Sequence, residues 1–356
     1  MIYFNHASTT APDMAAINIA QEYLSNYWGN PSDSNAFGKM AFCAIENSRE
    51  IIAKKINADI DDIFFTSGAT EANNWFINSG LTVQTSSIEH VSNLNKTLPF
   101  IEVDKNGRVI LDSIKSDYEA VSIMYINNEI GVIQNIKKIS EYVHNKKMIF
   151  YTDATQAFGH YKINVKEDGI DAMSVSAHKF GGIKGVGFVY LNKEVQGQIK
   201  PFLKGGHQEK NFRAGTENVF GIVQMAKAIE NKYRTYKVDE NIIQYISSKF
   251  FELLGNDIDI ELNGNELYRS PSILNVRFKD LRAEELYEYL KYYQIYCSTG
   301  SACNSNTGLP SHVLKAIGLT DDEASRSIRF SFSASNTIYE VETVVEKINS
   351  YIKYRK

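Results

Sequence analysis

The feature that most constrains the fold is an alternation. Short apolar runs take turns with segments of helical spacing: "IENSREIIAKKI" is helical and "DIFFTSG" is a strand ending in a turn. "EAVSIMYI" is a strand, "NIKKISEYVHNKK" a helix, and "MIFYTDA", "DAMSVSA" and "VGFVYL" are strands. Strands alternating with helices predict an α/β protein with a mostly parallel sheet covered on both faces. In such sheets ligands sit beyond the carboxyl ends of the strands. "NVFGIVQMAKAIENKYRTY" reads as a long helix that closes this part of the chain. From about residue 240 the pattern changes to "SILNVRF", "RAEELYEYLKYY", "IYCSTGSAC" and "SIRFSFS", which predicts a smaller α+β domain. The expected division is 12–238 for the large domain and 1–11 with 239–356 for the small one.

Three strand ends carry polar residues that a core would not choose. In "FTSGATEANN" a strand meets Gly68, and Ala69, Thr70 and Glu71 open a helix. Exposed N–H groups, a hydroxyl and the positive end of a helix dipole suit a phosphate. In "YTDATQ", Asp153 ends an apolar strand, where a carboxylate needs a cation or several hydrogen bonds. In "SVSAHK", Ser176 and His178 offer two more donors, and Lys179 follows. A desolvated lysine near other cations becomes a nucleophile toward an aldehyde. A phosphate, an aldehyde and a ring nitrogen needing an acidic partner describe pyridoxal 5'-phosphate. Each motif also has a plain structural reading: Ser67 or Thr70 as an N-cap, Asp153 as a cap, Lys179 as a snorkelling side chain. Their order, each at a strand end, favours the cofactor.

Composition excludes other classes. The chain has 356 residues and a formal net charge of −4, so no basic field points to nucleic acid. No apolar run is long enough to suggest a membrane span. "MIYFNHASTT" lacks the pattern of an export leader, and three cysteines without a CxxC pair argue against a disulfide framework or a metal site. A cytoplasmic, reducing setting is expected.

The motifs "FTSGATEANN", "NNEIG", "DATQ", "SAHK", "RAGTEN", "GSAC" and "SIRFS" occur in an order that resembles the cysteine desulfurases of the NifS/IscS type, class V aminotransferase-like enzymes. The resemblance spans nearly the whole chain. It implies a fold type I transferase whose large domain holds a mostly parallel seven-stranded sheet. It implies that Lys179 forms the Schiff base with the cofactor, Asp153 pairs with the pyridine nitrogen, and Gln156 and Asn128 lie at the ring hydroxyl. Ala69, Thr70, Ser176 and His178 match the phosphate cradle, and Thr216 matches a phosphate contact from the other subunit of a homodimer. His90 matches a histidine stacked on the ring and implicated in proton transfer. Arg329 matches the substrate-carboxylate fork and Asn30 its side-chain partner. Cys303 matches the nucleophile that takes sulfur from L-cysteine, leaving L-alanine and a persulfide for an acceptor protein, an iron–sulfur scaffold or a tRNA-thiolation protein. Selenocysteine lysis or another class V carbon–sulfur cleavage is the alternative reaction, and a non-catalytic partner-binding scaffold is the second.

Cys303 sits among small and polar residues in "STGSACNSNTGLPSHVL", where a thiol ionises readily. Cys43 and Cys297 lie in apolar stretches and are expected to be buried. The length of the cysteine segment resembles the loop-bearing subgroup. Departures from the family pattern are Phe4–Asn5 for its "LD", Asn35 for a histidine, Ile183 for a proline and His207 for a glycine. The stretch from His90 to Asn128 is shorter than usual, and the longer tail of some relatives is missing after "YIKYRK". None of these removes a catalytic group.

Overall fold

The computed structural model describes residues 1–94, 99–300 and 310–355. The chain opens with a two-residue strand, β1 (Ile2–Tyr3), and then builds a sheet from β2 (Ile63–Thr66), β3 (Val83–Thr85), β4 (Ala120–Ser122), β5 (Ile149–Asp153), β6 (Ala172–Ser176) and β7 (Gly187–Leu191). The spatial order is β2-β7-β6-β5-β4-β3. β3 to β6 run parallel, while β7 is antiparallel to both of its neighbours. A seventh member is reduced to one residue. Ile101 forms a parallel bridge with Ser86, its N–H donating to Thr85 and its carbonyl accepting from Ser87. β2, β6 and β7 are buried along their whole length, which is why they are mostly apolar, with Ser174 and Ser176 the polar members of β6.

The helices Ala36–Ile56, Ala69–Ile77 and Ile136–Asn145 lie against this sheet. Asn35, one of the departures noted above, caps the first by accepting from Gly38 N–H at 2.9 Å. Cys43 is exposed, against expectation. On this helix Ala41, Ala44, Ile45 and Ser48 form the buried stripe, and Cys43 lies outside it beside exposed Phe42. Cys297 is buried as expected.

The second core gathers β8 (Ile260–Leu262), β9 (Ile273–Phe278), β10 (Ile295–Tyr296) and β11 (Ser327–Ser331) with the helices Ala283–Tyr292 and Ile338–Arg355. β11, β9 and β8 form an antiparallel sheet, and β10 pairs in parallel with β1. Phe4 packs in this second core, so the first residues of the chain join its last third.

One helix, Val219–Gly255, serves both cores: Ile222, Met225 and Ile229 pack in the first, and Ile246, Phe250 and Leu254 in the second. It runs past the point expected to end it, because no glycine or proline lies between Gly221 and Gly255. Among the described residues no helix is long and apolar enough to cross a membrane.

Candidate active site

The carboxyl ends of the strands open on a cavity of about 420 Å³. Its floor is the turn after β2. Gly68 takes φ +148°, and a Cβ there would stand 3.2 Å from Ser176 Oγ, so the backbone approaches β6 as only glycine allows. Ala69 and Thr70 then begin the helix Ala69–Ile77 and line the cavity with Ser176 and His178. His178 Nδ1 lies 3.1 Å from Thr9 Oγ1. Burial, with Lys179 and Lys184 nearby, lowers its pKa to about 4, so the ring is neutral at pH 7. Glu71, in the first turn, accepts from Ser67 N–H and from Arg213, which ties the "RAGTEN" segment to this seat.

Lys179 follows β6 in a short 3-10 turn. Its Nζ donates to the carbonyls of Ala7 and Ser8 at 2.6 and 2.8 Å. The same N-terminal strap takes Gln156 Nε2 on Ala7 O at 2.9 Å. It also meets Arg329, whose guanidinium donates to Asn5 Oδ1 at 2.7 Å and Ser8 Oγ at 2.8 Å, and to Asn128 O at 2.8 Å. Arg329 is 2 % exposed yet lines the cavity, a fork held in place before any carboxylate arrives. Asn5, where the family pattern has an acid, is thus a neutral acceptor for this cation.

Asp153, at the end of β5, accepts from Thr155 N–H at 2.9 Å and from Asn73 Nδ2 at 2.7 Å. Asn73 is fully buried and also donates to Ser92 Oγ, while its Oδ1 accepts from Tyr151 OH and Ser174 Oγ, both at 2.6 Å. Ser92 Oγ in turn lies 2.7 Å from His90 Nδ1. Next to His90, the carboxyl of Glu89 is completely buried among Ser86, Asn93 and the Met124 N–H. Burial pushes its pKa up to about 8 despite those bonds, with Asp153 adding to the rise.

The cavity therefore brings together Ala69, Thr70, His90, Asn128, Asp153, Gln156, Ser176, His178, Lys179 and Arg329. It does not bring in Asn30 or Thr216. Both are exposed, and Asn30 Oδ1 accepts from Ser32 N–H. Cys303 lies outside the described residues. Its flanks are fixed at the site. On one side Ser298 pairs with Arg329. On the other, Ser311 Oγ donates to Glu129, and His312 Nε2 to the Glu89 carbonyl at 2.9 Å.

Sequence reasoning missed Asn73, Ser92, Asn5 and Ser8. Asn73 lies within "GATEANN", four residues after Ala69 and so on the same helix face, which is the one signal that could have singled it out.

Comparisons with known proteins agree with this geometry. The aminotransferase class-V family matches residues 2–344. A putative cysteine desulfurase IscS 1 of Bacillus subtilis (strain 168) is 37% identical over 377 residues, covering 99% of this chain and 98% of its own. A solved NifS-like protein superposes with a TM-score of 0.92 at 31% identity, covering 99% of both chains. SspA, solved in complex with cysteine, superposes with a TM-score of 0.82 at 28% identity, covering 95% of this chain and 100% of its own. The chain belongs to the aminotransferase class-V family, among the cysteine desulfurases of the NifS/IscS type.

Proposed function

We propose that this chain is a pyridoxal 5'-phosphate-dependent cysteine desulfurase, converting L-cysteine to L-alanine and leaving the sulfur as a persulfide on Cys303. The observation that carries the reading is the convergence of one lysine, one buried carboxylate, a helix N-terminal seat and a buried arginine on a single cavity.

The residues present fit the cofactor. The N–H groups of Ala69 and Thr70, with Thr70, Ser176 and His178 side chains, are a donor set for a phosphate. Thr155 Oγ1, on the cavity wall, is buried with no hydrogen-bond partner among the described residues, which suits a polar group held beside it. Asp153 would hold the ring nitrogen, Gln156 and Asn128 would lie at the ring hydroxyl, and His90 would cover the ring face. When bound, the cofactor supplies an electron sink for bonds at the substrate α-carbon.

The chain's own residues do the rest. Arg329 takes the substrate carboxylate with its planar fork. Lys179 carries the α-proton, and the Ala7 and Ser8 carbonyls receive its ammonium when the amine is not otherwise engaged. The Cys303 thiolate attacks the substrate sulfur: the carbon–sulfur bond breaks, a sulfur–sulfur bond forms, and the carbon takes a proton.

The working form is a homodimer in the cytoplasm. Trp28, Phe37, Met40 and Phe42 expose a large apolar area on one part of the chain, which supports association. Exposed Thr216 would then act in the partner's cavity. The two separate cores support the division into a large domain, 12–238, and a small one, 1–11 with 239–356, joined through the helix Val219–Gly255. An acceptor protein would collect the sulfur, for iron–sulfur clusters or for tRNA thiolation.

The test is incubation with L-cysteine, followed by amino-acid analysis and peptide mass spectrometry. Equal amounts of alanine and of an extra sulfur on Cys303 are expected. Sulfide released without Cys303 modification points to the carbon–sulfur lyase alternative, and no turnover by a loaded protein to the scaffold.

A further inference from the structure

Two neighbouring groups reach the same atom of His90. The residue caps the short turn Val91–Asn93, with Nδ1 accepting from the Ser92 main-chain N–H at 3.2 Å. The Ser92 hydroxyl lies 2.7 Å from that same Nδ1. Which of the hydroxyl and the ring carries the proton between them is decided further away. The amide nitrogen of Asn73 donates to the Asp153 Oδ2 acceptor at 2.7 Å. That nitrogen also donates to Ser92 Oγ at 3.0 Å. Ser92 oxygen accepts there, which directs its own proton to His90. Asn73 cannot turn over, because its Oδ1 accepts from Tyr151 OH and Ser174 Oγ and the side chain has no exposure. Nδ1 therefore faces two donors, one of them an N–H that can do nothing else.

We propose that Asn73 and Ser92 are positioning residues that lock His90 as a neutral ring with its proton on Nε2, so that it offers the cavity a hydrogen-bond donor and cannot take a proton there. The tautomer stands on geometry alone. Its consequence, that removal of the α-proton of L-cysteine falls to Lys179, rests on the desulfurase reading above. A neutral imidazole that polarises its ligand by donation is an established catalytic pattern. The surroundings agree. Burial lowers the His90 pKa, Asp153 at the end of β5 opposes this, and Lys179 after β6 and His312 at the start of the helix His312–Ala316 reinforce it.

The test uses the full chain with histidine labelled by nitrogen-15, with and without cofactor. The His90 signals are those that vanish in His90→Gln. Nδ1 is expected to report an unprotonated, accepting nitrogen and Nε2 a protonated one; a protonated Nδ1 overturns the proposal. Ser92→Ala leaves only the main-chain N–H at 3.2 Å on Nδ1 and is expected to move the His90 pair part of the way toward averaged values and to lower kcat roughly tenfold at nearly constant KM, the size of one net hydrogen bond. Ser92→Thr restores both. An unchanged His90 spectrum in Ser92→Ala overturns the relay. His90→Gln keeps an N–H donor and does not titrate, so its kcat against pH keeps the parent's shape; losing a limb of that profile overturns the donor role. Failure of the desulfurase reading shows instead as absent alanine, with the nitrogen spectrum unaffected.

Discussion

Ser298 and Arg329 exchange both of their main-chain hydrogen bonds, Ser298 N–H to Arg329 O at 3.0 Å and Arg329 N–H to Ser298 O at 2.7 Å. The strand that presents the buried arginine is thus also the anchor for the chain leading to Cys303. Ser311 and His312 pin the far side of that segment to Glu129 and Glu89, neighbours of Asn128 and His90. The described residues on either side of 301–309, Ser298 before and Ser311 and His312 after, are thus held to Arg329, Glu129 and Glu89.

Arg329→Lys keeps a positive charge but loses the planar fork. A roughly 100-fold fall in kcat/KM for L-cysteine is expected, mainly through KM, as a charged hydrogen-bonded pair is lost. Cofactor absorbance should be retained. Steady-state kinetics beside a visible spectrum checks both.

The two described cysteines differ in environment, Cys43 exposed and Cys297 buried. Burial pushes the Cys297 thiol up to about 12, so it stays protonated and inert. Cys303→Ser should abolish alanine formation while leaving the bound cofactor's colour. Cys297→Ala and Cys43→Ser should leave sulfur transfer intact, as read by persulfide mass spectrometry.

Glu89 makes stability depend on pH. Its folded pKa of about 8 lies above the reference 4.5, so the folded protein holds this proton more tightly than the unfolded chain. The stabilisation is complete below pH 4.5 and is lost as pH rises toward about 8. Glu89→Gln carries no titrating proton. The parent should therefore lose stability relative to Glu89→Gln over this window, read from urea midpoints at several pH values. A constant difference contradicts it.

Arg49 and Glu209 form a bidentate pair at 2.8 Å with both side chains buried, and Glu209 also accepts from Phe65 N–H. Arg49→Met strands a buried carboxylate and should cost about 3–5 kcal/mol. Glu209→Gln keeps an acceptor for Phe65 and should cost less. Denaturant unfolding of the two variants gives the comparison.

Much of the site was legible because its parts stand at strand ends, where a lysine, a carboxylate or a glycine turn breaks an apolar run. Lys179, Asp153 and the turn at Gly68 are of this kind. What stayed hidden acts across the chain. Asn73 bonds Tyr151 and Ser174, residues that no local pattern connects to it. The strap at Ala7 and Ser8 works through carbonyl groups, which leave no mark in side-chain chemistry. The reversed direction of β7 and the continuation of the helix Val219–Gly255 into the second core were likewise set by packing rather than by any turn signal.

The most direct measurement is borohydride reduction of the yellow protein followed by peptide mapping. The account predicts a stable pyridoxyl group on Lys179 and on no other lysine, absent in Lys179→Ala. A reduced protein with an unmodified Lys179, or with the label on Lys184, would contradict it.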